Sequence, residues 1–202
     1  MKKKIWLAVV LVFSALFFVT GCSGIFQSEE AKEKKDISLG TWEGSNYKND
    51  FLGLTYTMPG DWTRYSDEEI KDLMEIGTEL VDASEISKKI AELTSVTYMM
   101  TTSSTGSNII LMSEKQIGDV KIENFAEALK QGLEAQTAVT YQVTDIKTET
   151  IDGKEFMTVE ANVETLKQKY YIYKVDKYMV SVIVTAVQGD DVNSLISQFN
   201  FN

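Results

Sequence analysis

The segment Tyr178–Val187 is apolar on both of the faces that a β-strand would present. One face has Val180, Val182, Val184 and Ala186, and the other has Met179, Ile183 and Val187 between Ser181 and Thr185. Alternate residues of a strand point to opposite sides of a sheet, and a sheet with one side in water alternates apolar with polar residues. The segment therefore predicts a central strand of a sheet that is covered on both sides, and we expect helices to form both layers.

Turn signals indicate how the strands around this segment are connected. Asp152-Gly153, a strong two-residue hairpin signal, joins Tyr141–Ile151 to Lys154–Glu164. Asp176-Lys177 joins Lys169–Val175 to Tyr178–Val187, and two earlier strands are predicted at Ser95–Thr101 and Asn108–Glu114. Because hairpins make neighbouring strands antiparallel, the prediction is an α+β fold, an α/β/α sandwich on a mostly antiparallel sheet.

Helices are predicted from periodicity and capping residues. Ser66 and Glu69 have the spacing of a capping box, followed by apolar residues at helical spacing with a break expected near residues 82–84. A second stripe starts at Ile122 and ends at Leu133. Near the end of the chain Asp190 is the expected cap of a short closing helix, with Val192, Leu195, Ile196 and Phe199 on one face.

The first residues have the pattern of a bacterial lipoprotein signal. Lys2, Lys3 and Lys4 precede the apolar run Ile5–Val19, and Val19-Thr20-Gly21-Cys22 follows. A basic start, an apolar run and small residues before a cut site indicate a secretory signal, and a cysteine directly after them resembles a lipobox. We therefore expect a signal peptide at residues 1–21, cleavage between Gly21 and Cys22, and lipidation of Cys22 by diacylglycerol and an acyl chain such as palmitate. The protein would then be attached to the cell membrane on its extracytoplasmic face.

Two alternatives to lipidation remain open. The segment could be an uncleaved membrane anchor, but it is shorter than the roughly 20 apolar residues that span a bilayer. It could also be an ordinary signal peptide cut elsewhere, although no convincing Ala-x-Ala site is nearby. Cys22 is the single cysteine of the chain and cannot form an internal disulfide.

The rest of the chain is interpreted as a tether and one domain. Residues 22–41, the lipidated cysteine and a polar, mixed-charge stretch, are expected to form a flexible tether, and residues 42–202 a single domain. Without the three signal-peptide lysines, 17 basic residues face 30 acidic ones, a formal charge of −13. Such acidity argues against nucleic acid as a partner, and against the protein body lying on anionic lipid. The lipid alone is therefore expected to hold the protein on the membrane.

The residue types that the sequence lacks exclude several kinds of catalytic mechanism and metal site. The chain has no histidine, the usual general base and the commonest transition-metal ligand, and an acylated Cys22 leaves no thiol nucleophile. No phosphate-binding glycine loop or calcium loop occurs in the sequence. We predict no catalytic residue, no metal site and no cofactor. Tyr170, Tyr171 and Tyr173 are the candidate contacts to a protein partner, because tyrosine is enriched in interface cores, although tyrosines are also ordinary sheet residues.

A motif near the start of the domain resembles the opening hairpin of the PsbP/Mog-like fold. Its residues are Tyr47-x-Asn49 and then Gly53-Leu54-x-Tyr56-x-x-Pro59-x-x-Trp62. The resemblance implies an antiparallel sheet between helices over residues 42–202, and a role in binding other proteins rather than in catalysis. Members of the family include photosystem accessory subunits, and the metal sites of some use histidine. This chain has none, so a metal site does not carry over.

Three functions are considered on this basis. The first is a non-catalytic, membrane-anchored domain that binds an as yet unknown protein or assists an envelope complex. The second is a lipoprotein that binds a small ligand in a pocket beside the sheet. The third is a hydrolase with a carboxylate or Ser/Lys mechanism, which would require a buried carboxylate with a strongly raised pKa in a cleft.

Overall fold

The computed structural model describes residues 38–80, 94–136, 139–187 and 189–202, with the side chains of all of these except residues 75–80. The helices in these ranges are α1 (Asp67–Leu80), α2 (Ile122–Glu134) and α3 (Val192–Ile196). The strands are β1 (Thr41–Glu43), β2 (Asn46–Asn49), β3 (Leu54–Thr57), β4 (Thr63–Arg64), β5 (Ser95–Thr102), β6 (Asn108–Lys115), β7 (Gln142–Val143), β8 (Lys147–Ile151), β9 (Lys154–Val163), β10 (Leu166–Val175), β11 (Tyr178–Ala186) and β12 (Phe199–Phe201). Among these helices, none is long and apolar enough to cross a membrane.

The centre of the fold is an antiparallel sheet of eight strands. Its order is β4-β5-β6-β11-β10-β9-β7, and β8 pairs with β9 beside β7. The predicted hairpins at Asp152-Gly153 and Asp176-Lys177 are confirmed, and Asp152 and Asp176 adopt positive φ angles of 51° and 50°. Strand β11 lies inside the sheet between β6 and β10, as its two apolar faces predicted. The α+β class with a mostly antiparallel sheet is therefore confirmed.

Helices α1 and α2 cover one face of the large sheet. The capping box is present: the Ser66 backbone N–H donates to Glu69 Oε2 at 2.8 Å, and the Glu69 N–H donates to Ser66 Oγ at 3.3 Å. The helices pack their apolar stripes onto the sheet and form a helix-side core. Its fully enclosed members include Met100, Ile110, Ala126, Leu133, Tyr170, Ile172 and Ile183.

The opposite face differs from the expectation of a second helical layer. A four-stranded antiparallel sheet of order β1-β2-β3-β12 covers it, together with the short helix α3. The buried residues between the two sheets form a sheet-side core that includes Tyr47, Leu54, Tyr56, Phe156, Tyr171, Tyr173, Val182 and Phe201. Apolar residues on both faces of β11 indicated that both sides are covered, and either helices or a second sheet can cover such a face.

Two local predictions near the end of the chain were wrong. Asp191, not Asp190, caps α3, because its carboxylate accepts from the Ser194 N–H at 3.0 Å. Asp190 instead accepts a hydrogen bond from the Ser107 hydroxyl. Phe199 is not helical: with Phe201 it points inward from β12, which pairs with β3. Helix α3 ends before Phe199. In strand β12 both Phe199 and Phe201 are buried, whereas on a continued helix only Phe199 would lie on the apolar face.

The ladders bring several turns together at one end of the domain, which we call the tether end. It consists of residues 38–40, 48–54, 115–121, 151–154 and 174–178. The Gln116 N–H donates to the Lys177 carbonyl at 2.7 Å, and the Lys174 ammonium donates to the Val120 carbonyl at 2.9 Å. The small sheet joins them because the Tyr173 hydroxyl donates to the Leu52 carbonyl at 3.2 Å. The turn 103–107, between β5 and β6, lies at the opposite end.

Candidate functional site

The three tyrosines proposed from the sequence lie inside the domain. Tyr170, Tyr171 and Tyr173 are 0%, 0% and 2% exposed. Tyr170 belongs to the helix-side core, whereas Tyr171 and Tyr173 lie under the small sheet and α3. Tyr170 thus lies on one face of β10 and the other two on the opposite face, and both faces are covered, so none of the rings is presented at the surface.

A charged cluster surrounds Tyr171 at the margin of the sheet-side core. Lys169 lies two residues earlier on the same face of β10, and its ammonium group is 5.0 Å from the centre of the Tyr171 ring. Its Nζ donates to both oxygens of Glu149 on β8, at 2.7 and 2.9 Å, and lies 3.5 Å from a carboxylate oxygen of Glu160 on β9. Thr158 adds a hydroxyl donor to Glu149 at 3.1 Å. Three adjacent strands thus build this cluster.

The lysine of this cluster is buried, whereas its two carboxylates are partly exposed to solvent. The Lys169 side chain is 7% exposed, whereas the side chains of Glu149 and Glu160 are 31% and 37% exposed. The ammonium group is therefore neutralised from the solvent side by two carboxylates that a solute can still reach. A buried lysine without such partners would pay a large desolvation penalty, so the pairing explains how β10 accommodates a charge in its interior.

The hydroxyl of Tyr171 has no hydrogen-bond partner. It is buried, and no protein donor or acceptor in the described part of the chain reaches it. Burial, with the nearby charges of Glu149, Glu160 and Asp191, raises the pKa of Tyr171, so the group keeps its proton at physiological pH. A buried polar group without a partner costs free energy, and such groups concentrate where a structure serves a ligand or holds water. This cluster is the candidate binding site: it offers a hydroxyl donor, an ammonium group and two carboxylates.

A second unusual group lies on the helix side of the sheet. Glu114 on β6 is 3% exposed, its Oε2 has no hydrogen-bond partner, and burial raises its pKa to about 8. Ser95 and Met179 lie directly across the two ladders from it. The raised pKa meets one condition set for the hydrolase hypothesis. A hydrolase would also need a positioned nucleophile or second acid, and no donor or acceptor reaches Glu114 Oε2 in the described residues.

Hydrogen bonds from two side chains of the small sheet hold the first described residues, Ser38 and Leu39, against the domain. The Asn49 amide, 0% exposed, donates to the Ser38 carbonyl at 2.9 Å, and its Oδ1 accepts from the Leu52 N–H at 3.0 Å. The Tyr47 hydroxyl donates to the Leu39 carbonyl at 2.8 Å. Within the described residues, Ser38 and Leu39 thus contact the domain that was predicted over residues 42–202. We call residues Ser38, Leu39 and Gly40, with these contacts, the N-terminal lock.

Gly40 completes the N-terminal lock by leaving space for Tyr47. Its φ is +76°, a conformation that favours glycine, and a Cβ there would lie 2.6 Å from Tyr47 Cζ and 2.7 Å from the Lys48 carbonyl oxygen.

The predicted lipidation site Cys22 and the cleavage position Gly21 lie outside the described residues, so their role stays a prediction. In the described part of the chain, no group of three or more His, Cys, Asp or Glu side chains could hold a metal ion.

Sequence reasoning missed the charged cluster for an identifiable reason. Lys169 and Glu149 are 20 residues apart, and only the pairing of both β8 and β10 with β9 brings them together. The available signal was the position of Lys169 in a strand that continues as Tyr170, Tyr171, Ile172 and Tyr173. A lysine within such an apolar strand needs a buried partner, although the sequence does not identify that partner.

Comparison with known proteins does not assign a family. No protein-family model matches the chain, and no curated protein matches it. Among solved structures it is similar to the solution structure of cyanobacterial PsbP (CyanoP) from Synechocystis sp. PCC 6803, with a TM-score of 0.48, 11% identity, and 81% of this chain and 99% of that chain covered. It is also similar to LpqN, involved in cell envelope biogenesis of Mycobacterium tuberculosis, with a TM-score of 0.35, 13% identity, and 72% and 76% coverage. Because both TM-scores are below 0.5, neither likeness carries a functional inference.

Proposed function

We propose that this chain is a lipid-anchored, extracytoplasmic lipoprotein whose domain acts by binding, as an accessory protein of the cell envelope, and not by catalysis. The observation that carries the proposal is the N-terminal lock. The domain receives the chain from the predicted lipidation site at a defined place, where Asn49 and Tyr47 bind the backbone of Ser38 and Leu39. Two buried side chains that bind the backbone of two successive residues would hold the domain at a fixed point on such a tether.

The charged groups in the interior support binding rather than chemistry. Lys169 is engaged by two carboxylates, which makes it a poor nucleophile, and burial keeps Glu114 protonated near neutral pH. With Cys22 acylated and no histidine in the chain, a proton-transfer or nucleophilic mechanism lacks its usual residues.

Anchoring is tested by changing the predicted lipidation site. In cells that express the whole chain, wild-type protein should incorporate labelled palmitate and partition with the membrane fraction. Cys22→Ser should abolish the label and leave the precursor uncut, whereas the neighbouring change Ser23→Ala should retain both label and cleavage. Normal processing and membrane retention of Cys22→Ser would contradict the proposal.

A second candidate function, the binding of a small polar ligand, is favoured by the Tyr171 hydroxyl alone. This donor has no acceptor, and it lies beside carboxylates that are open to solvent. A molecule with hydroxyl and amino groups could use both kinds of partner. Titration calorimetry with glucosamine should give binding heat that Tyr171→Phe reduces. The same heat in both proteins, or none in either, would exclude this ligand class at the cluster.

A further inference from the structure

Exposed apolar side chains are concentrated at the tether end. In the described part of the chain, the exposed large hydrophobic residues are Leu39 and Ile117, at 61% and 72%. Leu39 belongs to the N-terminal lock and Ile117 to the loop between β6 and α2, so distant parts of the sequence bring them to one end. Half-buried Phe51 and Tyr178 belong to the same end, and their ring centres are 5.6 Å apart. Single exposed apolar residues are common, but here both occur at the end where the anchor is attached.

Basic residues are also concentrated at the tether end. The tether end has six of the twelve basic residues in the described ranges, against four aspartates: Lys48, Lys115, Lys121, Lys154, Lys174 and Lys177 against Asp50, Asp119, Asp152 and Asp176. Outside it, six basic residues face nineteen acidic ones. The negative charge of the chain therefore does not extend to this end, which is weakly positive.

Three of these lysines are available to a partner. Lys48 pairs with Asp50 and Lys174 with Asp119, both at 3.0 Å. Lys115, Lys121 and Lys177 are exposed, and in the described part of the chain none of them forms an ion pair.

We propose that the tether end is a membrane-facing surface, on which Leu39 and Ile117 enter the headgroup region of an anionic bilayer while the exposed lysines contact its phosphates. The proposal rests on the proposed function, because the lipid on Cys22 brings this end to the membrane. It also revises the expectation that the acidity of the chain keeps the whole body off anionic lipid. Lysines next to the surface are attracted within about one Debye length, ~8 Å at physiological salt, and acidic residues further away are screened.

The length of the predicted tether is compatible with this contact. Fifteen residues lie between Cys22 and Ser38, and a flexible chain of that length would have an r.m.s. span of roughly 21 Å. Because the N-terminal lock holds Ser38 and Leu39 against the domain, the orientation of the body relative to the bilayer is set at the lock. Leu39 is thus both a member of the lock and a membrane contact.

Orientation can be measured on the whole, acylated protein with a single spin label. Because acylation occupies Cys22, Ile117→Cys gives one free thiol for a nitroxide, and Thr105→Cys on the opposite turn is the matched control. In vesicles rich in phosphatidylglycerol, accessibility of label 117 to a water-soluble nickel complex should fall about twofold or more relative to phosphatidylcholine vesicles. Its accessibility to oxygen should rise, and label 105 should change in neither measurement.

Charge-reversal variants test the part played by the lysines. Lys115→Glu with Lys177→Glu should return label 117 to water, whereas Lys147→Glu with Lys167→Glu, outside the tether end and equal in charge change, should leave it in lipid. Equal behaviour of the two double variants would contradict the proposal, as would a label shielded from both oxygen and nickel, which would indicate a protein partner at this end. Flotation with vesicles separates the two proposals: protein that floats with label 117 in water contradicts only the orientation, whereas protein that does not float contradicts the anchoring.

Discussion

The hydroxyl of Tyr170 donates to Gln168 Oε1 at 2.6 Å, whereas the hydroxyl of its neighbour Tyr171, on the other face of the same strand, has no partner among the residues that the structure describes. Both side chains are 0% exposed. The two residues therefore allow a direct comparison of a buried tyrosine hydroxyl that is hydrogen-bonded with one that is not, within one strand.

Replacing each tyrosine with phenylalanine should separate the two roles. Tyr170→Phe leaves Gln168 Oε1 buried without its donor and should lower the free energy of unfolding by about 1–3 kcal/mol. Tyr171→Phe removes a hydroxyl that has no partner, and should leave stability unchanged or raise it by about 1 kcal/mol. Urea unfolding of both variants measures the difference. A loss from Tyr171→Phe as large as that from Tyr170→Phe would mean that the Tyr171 hydroxyl has a partner.

Glu114 should make stability depend on pH. Burial raises its pKa from 4.5 to about 8 in the folded protein, so the folded state binds the proton more tightly than the unfolded state does. The contribution of this group to stability is therefore fully present below about pH 4.5, falls as pH rises, and is lost above about pH 8, with a slope of at most ~1.4 kcal/mol per pH unit. Glu114→Gln should remove that slope and stabilise the protein in alkaline buffer.

Denaturant unfolding of the Glu114 variant across this pH range provides the measurement. Glu155→Gln, a change at an exposed position on β9, is the control and should leave the slope as in the wild type. If Glu114→Gln has the wild-type slope, or is less stable above about pH 8, the carboxyl is ionised and bound in the folded state.

The N-terminal lock predicts different costs for two glycines with positive φ. Gly40→Ala places a Cβ against Tyr47 and the Lys48 carbonyl, while Gly44→Ala, at φ +60°, meets nothing within 4 Å. Gly44→Ala should cost only the backbone strain, about 1 kcal/mol, and Gly40→Ala about 2–3 kcal/mol because the lock must also move. Thermal unfolding compares them. Equal costs would show that Leu39 and Ser38 are held without the close approach of Gly40.

The ion pairs of Lys169 should matter more than a surface pair. Lys169→Met removes the partner of Glu149 and Glu160 and should cost about 1–3 kcal/mol, less than a fully buried pair because both carboxylates can hydrate. Lys174→Met, whose partner Asp119 is 94% exposed, should cost about 1 kcal/mol or less. Urea unfolding of the two variants is the test. A Lys169 variant as stable as wild type would mean that the cluster is maintained for a purpose other than folding.

Local signals in the sequence identified the parts of the fold that depend on neighbouring residues. The hairpin at Asp152-Gly153 and the capping box at Ser66 need only a few adjacent positions, and both were predicted correctly. The second sheet was not predicted, because its strand β12 pairs with β3 across more than 140 residues of sequence. Phe199 satisfies a helical stripe and a strand alternation equally well, so periodicity could not decide between them.

The candidate sites also differ in whether they depend on adjacent residues or on long-range strand pairing. The lipobox-like motif is contiguous, so Cys22 could be predicted as a lipidation site from the sequence alone and stays a prediction, whereas the Lys169 cluster depends on the register of three strands. The tyrosines were identified as notable residues of β10, but what covers each face of that strand depends on long-range pairing. Net charge is a total and carries no information on position, so it could not indicate that six lysines lie at the tether end.

The N-terminal lock also determines how the domain bears mechanical load. A force applied to the chain on the N-terminal side of Ser38 passes through the hydrogen bonds of Asn49 and Tyr47 into β2 of the small sheet. The eight-stranded sheet receives that force through the contacts between the two sheets and through the chain that runs from β3 to β4. Such a force would therefore detach Ser38, Leu39 and β1 first, while the large sheet and the charged cluster around Lys169 remain folded.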